Sequence, residues 1–186
     1  MNLPSRDAVI SIWKKYNDDA ALFKHALAVE AAMRYYADIK NADADEWGKV
    51  GLLHDIDYGR WPEEHCKKAP ELLKAEGLDD EVIRAVVSHG YGLVSDVKPE
   101  SELEKTLYAV DELTGFVAAC ALVRPSKSVT DLEVKSVKKK WKTPAFAAGV
   151  DRTVIEKGAQ MMGLTIEELI EGVINAMREN HKELGL

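Results

Sequence analysis

The sequence predicts an all-α fold, and three observations carry that expectation. Apolar residues recur at helical spacing in almost every segment, most segments open on Ser, Asp or Thr caps, and none combines period-two alternation with turn chemistry. No internal repeat or low-complexity tract interrupts the pattern. Pro4-Ser5 opens a short helix through Trp13, and Asn17-Asp18-Asp19 caps a longer one with Leu22, Ala26, Val29, Met33 and Tyr36 on one face. Asp43 to Asp45 cap the next, whose apolar run from Trp47 ends in His54-Asp55. A breaker-rich turn, Asp57 to Pro62, leads to a helix ending near Gly77, and Leu78-Asp79-Asp80 caps another through Val87. Ser101 to Val123 reads as a long helix that Pro125 stops. Beyond it the chain is more basic, breaks at Thr143-Pro144 and Gly149, and resumes helices after Asp151 and after Leu164-Thr165, with Gly163 as the C-cap between them. The expected organisation is a helical core over 1–125 and a C-terminal helical extension over 126–186 packed on it.

Composition narrows the classes of function. The 186 residues are 46% hydrophobic, enough for one domain with a real core. No basic leader and no bilayer-length apolar run is present, so the expectation is a soluble, cytoplasmic protein without a membrane partner. Cys66 and Cys120 form no CxxC motif and read as ordinary reduced thiols. A net charge of -7 argues against nucleic acid as a partner, because such binders need a basic footprint.

Helical spacing brings several polar residues to the margins of buried stripes. His25 lies one turn from Leu22 and Val29, His54 one turn after Val50, His89 on the side of Val82, Ala85 and Val86, and Asp111 one turn from Leu107. Any one of them alone reads more simply as a hydrogen-bonded structural residue. Together they call for a common partner, because each would cost about 1–3 kcal/mol if buried unpaired. Imidazole and carboxylate are ligands of borderline and hard divalent cations, and helical bundles build metal sites from facing helices.

The order His25, His54-Asp55, His65, His89, Asp111 resembles the HD superfamily of metal-dependent phosphohydrolases. Leu52-Leu53 precede the doublet, and His54-Asp55-Ile56-Asp57 stands close to the HDIG form. The stretch from His65 to Leu73 looks like the HP-x-x-G-A-E-x-L segment of members that hold two metals, and Val82 to His89 looks like the helix bearing their next histidine. Gly115 to Pro125 and the Lys-rich stretch into Phe146 are similar to a group of small HD hydrolases. The resemblance implies an HD-domain bundle in which His25, His54, Asp55 and Asp111 bind a first cation and Asp55 bridges to a second on His65 and His89. The ions would be one or two of iron, manganese, nickel, cobalt, magnesium or zinc. Three departures stand out: Cys66 replaces a proline, Ala69 a glycine, and Gly90-Tyr91 follow His89 where the two-metal pattern has a histidine and an acid. The Asp-Gly-x-Gly-Tyr-Pro stretch of cyclic-dinucleotide phosphodiesterases is absent.

The expected reaction is hydrolysis of a small phosphorylated metabolite or nucleotide, because such cations lower the pKa of water from ~15.7 towards ~7. Besides Asp55, Asp57 and His89 are the candidates for catalysis, as acids that protonate the leaving group. Lys24, Arg60, Arg124 and Lys139 are the candidates for holding the phosphate, although each alone also fits a solvated surface charge. Tyr58, Trp61 and Tyr91 lie where they could stack on a base. The alternative function is a catalytically silent, metal-containing ligand-binding or regulatory module.

Overall fold

A computed structural model describes all residues, 1–186, as ten α-helices and one short 3-10 turn at Pro62–Glu64. The helices are α1 Arg6–Tyr16, α2 Ala20–Ile39, α3 Ala44–Leu53, α4 Ala69–Ala75, α5 Asp80–Ser88, α6 Glu102–Leu122, α7 Val134–Trp141, α8 Arg152–Met162, α9 Ile166–Glu179 and α10 His181–Leu184. An isolated bridge between Tyr91 and Ser95 is the only extended pairing. The fold is all-α, as the sequence predicts.

Side chains that accept from free backbone N–H groups set the helix starts. Ser5, Asp19, Asp43, Asp79, Ser101, Asp151 and Thr165 each do so, and Ser101 and Thr165 complete capping boxes with Glu104 and Glu168. Gly163 ends α8 at φ 71°, a left-handed cap that glycine adopts without strain.

The two longest helices, α2 and α6, run through the centre of the molecule. α2 packs on α3, α6 and α9, and α6 also receives α8 and α5. Small residues permit the closest crossings. A Cβ on Gly158 would stand 2.5 Å from the Ala109 backbone, and one on Gly51 would stand 3.2 Å from that of Glu30. One continuous core reaches from Val9 to Leu184, so α8 and α9 bury their apolar faces on the same core as the helices before residue 125. No helix is long and apolar enough to cross a membrane.

Candidate metal centre

The donors come from four helices and one turn. His25 projects from the second turn of α2 and Asp111 from the middle of α6. His54 and His89 occupy the C-cap positions of α3 and α5. There each Nδ1–H donates to a carbonyl of the last turn, His54 to Gly51 at 2.7 Å and His89 to Val86. A helix end thus gains a partner for an orphan carbonyl, and Nε2 is the ring nitrogen directed outwards.

His25 Nε2 lies 3.1 Å from His54 Nε2 and 3.0 Å from Asp111 Oδ1. Asp55 Oδ2 is 3.3 Å from His54 Nε2 and 3.7 Å from His25 Nε2, and Asp111 Oδ1 is 3.4 Å from His54 Nε2. Ligands at 2.0–2.2 Å from a cation stand about 3–3.5 Å apart, so this quartet has the spacing of a coordination shell. Asp55 turns its other oxygen to a second group. Oδ1 is 3.5 Å from His65 Nε2 and 3.8 Å from His89 Nε2, and these two nitrogens are 3.0 Å apart. The donor chemistry and its spacing fit divalent cations.

The charges fit as well. Burial pulls the His54 imidazole towards neutrality, but Asp55 and Asp111 outweigh it and hold its pKa well above the ordinary value. Burial opposes ionisation of Asp111 too, yet His54 and His25 keep it well below the usual carboxylate range. His65 is pulled down by burial and then raised to about 10, chiefly by its hydrogen bond to Asp57. Protons on these rings occupy the place where a cation would satisfy the same carboxylates.

The cluster floors a cavity of about 270 Å³, lined by His25, Asp55, His65, His89 and Asp111 from the donor set. Tyr58, Leu93 and Val94 form one rim, and Gly149, Val150 and Val154 form the facing wall. Glu112 also lines it. Burial first, then the neighbouring Asp111 charge, push its carboxyl up to about 7.

Several expected site residues lie elsewhere. Asp57 is wholly buried behind His65, with Oδ1 accepting from His65 Nδ1 at 2.8 Å and Oδ2 from the Ala69 N–H at 2.8 Å. That geometry makes it a positioning residue for His65 and corrects the expectation of a leaving-group acid. Lys24 lines a separate groove beyond His25, with Thr114 and Leu186. Arg60 is exposed and outside the cavity. Arg124 is paired with Asp131 through Nε at 3.0 Å and Nη2 at 2.9 Å, about 20 Å along and beyond α6 from Asp111 at 1.5 Å per residue. Lys139 stands on a lysine ridge of α7 with Lys135, Lys138 and Lys142. None of these four cations reaches the cavity, because their helices and loops present them to solvent. Of the aromatics, Tyr58 lines the rim, while Trp61 packs against the core and Tyr91 lies near Tyr108.

Cys66 corrects a further expectation. Its sulfur is 3.7 Å from His65 Nε2 and 3.8 Å from His89 Nε2 rather than in an ordinary apolar setting. Burial raises its pKa, but His89 and His65 outweigh that and bring it down to about 7. Cys66, which the sequence presents as an ordinary thiol, and Glu112, which carries no signal of its own there, each adjoin an expected ligand, His65 or Asp111.

The HD domain family model matches residues 22–115, just over half of the chain. The chain belongs to the HD domain family. Every donor described above falls inside the matched stretch of this HD domain protein. A curated relative, the tRNA (cytidine(56)-2'-O)-methyltransferase of Picrophilus torridus, is 28% identical over 127 residues. The alignment takes in 61% of this chain and 37% of that protein, so the HD chain spans little more than a third of its relative. No solved structure matches it.

Proposed function

We propose that this HD domain protein is a metal-dependent phosphohydrolase acting on a small phosphoester, a phosphorylated metabolite or nucleotide. One observation carries the reading: six imidazole and carboxylate side chains converge at coordination spacing, five of them on the floor of one cavity, with Asp55 offering an oxygen to each of two groups. In this reading His25, His54, Asp55 and Asp111 hold one cation, and His65 and His89 help to hold a second. When bound, such ions supply Lewis acidity towards phosphate oxygens and acidify water.

The chain's own residues do the rest. Asp57 keeps the His65 proton on Nδ1 and so keeps Nε2 available. His54 and His89 are fixed in the corresponding tautomer by their helix-end carbonyls. The rim of Tyr58, Leu93 and Val94 with Val150 and Val154 opposite suits an apolar or aromatic organic part of the substrate. No Lys or Arg lines the cavity, which leaves the phosphate to the cations and offers no basic track to a polynucleotide. The tRNA in the relative's name is therefore not carried over to this chain.

The same absence of basic residues favours one alternative, a module that holds metal and a ligand without turnover. A screen of phosphomonoesters and diesters with manganese, magnesium, cobalt, nickel and iron(II), read as product release, separates the two. The expected outcome is turnover that vanishes with chelator, returns with metal, and is abolished in His54→Ala and Asp111→Ala. Tight ligand binding by the loaded protein with no turnover of any ester would instead support the silent module.

A further inference from the structure

We propose that Cys66 is a thiolate ligand of the second cation, in a site formed by His65 Nε2, His89 Nε2, Cys66 Sγ and Asp55 Oδ1. Such a site prefers zinc, cobalt or iron(II) to magnesium or manganese, because thiolate is a soft donor. The inference rests on the reading that His65 and His89 face a cation, and adds the sulfur to it.

Distances carry the first part of the argument. A tetrahedral cation with nitrogen at 2.0–2.1 Å and sulfur at 2.3 Å sets them about 3.6 Å apart. The sulfur stands 3.7 and 3.8 Å from the two Nε2 atoms, which are themselves 3.0 Å apart and 3.5 and 3.8 Å from Asp55 Oδ1. Ring orientation carries the second. His65 Nδ1 faces a carboxylate and His89 Nδ1 a carbonyl, so in each ring Nε2 is the nitrogen turned towards the sulfur. Two imidazole nitrogens, a carboxylate oxygen and a sulfur thus converge from separate segments. A cation answers all of them at once.

The backbone is arranged around the sulfur. Cys66 takes φ 62°, a left-handed conformation disfavoured for any residue with a side chain. A Cβ on Gly90 would stand 2.7 Å from the sulfur, so glycine at that position keeps its space clear. On binding, the thiol proton leaves to solvent and a sulfur lone pair forms the bond to the cation, with no change of oxidation state.

The test is titration of the chelator-stripped full chain with cobalt(II) under anaerobic conditions. The expected result is a near-ultraviolet sulfur-to-cobalt charge-transfer band that persists in Cys120→Ser and is lost in Cys66→Ser. X-ray absorption of the cobalt-loaded wild type should show a sulfur neighbour at about 2.3 Å, which keeps the test independent of whether the variant folds. Cobalt bound through nitrogen and oxygen alone, with no band, would overturn the thiolate while leaving the metal reading standing. A band that survives Cys66→Ser would overturn it too, and a chain that binds no cobalt would overturn both.

Discussion

At the scale of single residues, Asp57 shows how much of the candidate metal site lies behind its donors. Both of its oxygens are engaged, one by the His65 ring and one by the Ala69 backbone. Asparagine can accept from only one of these donors and turns an N–H towards the other. Asp57→Asn is therefore expected to weaken cation binding at the His65 side by about 10–100-fold, measured by chelator competition. Asp55→Ala removes an oxygen from both groups, and elemental analysis of the purified variant should find most of the metal gone. His25, His54, His89 and Asp111 were legible in the sequence because helical spacing turns them inward from several helices, whereas Asp55 and His65 rested on the resemblance to the HD superfamily. Asp57 was misread because its role depends on a backbone N–H twelve residues away, contributed by Ala69 at the start of α4. Lys24, Arg60 and Arg124 fall outside the cavity for a related reason: proximity in sequence to His25, Asp55 or α6 says nothing about the direction of a long side chain.

Among the elements, helix starts were the most legible feature, since a cap is a local contact between a side chain and N–H groups two or three residues on. Ends were less so. The first helix continues to Tyr16 rather than stopping at Trp13, because Trp13 is buried and its carbonyl accepts from the Asn17 N–H. The short α10 and the wall formed by Gly149, Val150 and Val154 carried no local signal, because they are arranged by packing against distant helices. The crossing of α6 and α8 tests that packing. With its Cβ only 2.5 Å from Ala109, Gly158→Ala must push the helices apart, at a cost of about 1–3 kcal/mol, read as a lower midpoint in thermal or urea unfolding. Since α6 carries Asp111 and α8 carries Val154, the same variant should also lose cation affinity or raise KM.

For the whole molecule, the proposed cation and the fold are expected to stabilise each other. A ligand that binds only the folded chain raises its stability in proportion to the logarithm of its excess over Kd, so chelation should lower Tm and readdition of metal should restore it. The size of that gap depends on pH. In the stripped protein the folded state raises the His65 pKa from 6.5 to about 10, so its contribution is complete below 6.5 and is lost as pH rises towards 10. A cation-bound ring is neutral throughout this window and loses nothing. The Tm difference between loaded and stripped protein should therefore widen from pH 6.5 upwards, as calorimetry at several pH values would record. One further property follows from where the cavity gets its walls. The donors all lie within residues 22–115, whereas Gly149, Val150 and Val154 enter from the far side of the chain, beyond the long α6 and the lysine ridge. One wall of the cavity is thus written in a stretch of sequence separate from the donors, whereas the rim of Tyr58, Leu93 and Val94 shares theirs. Substitutions at Gly149, Val150 and Val154 should therefore reshape what the cavity admits while every donor on its opposite side stays untouched.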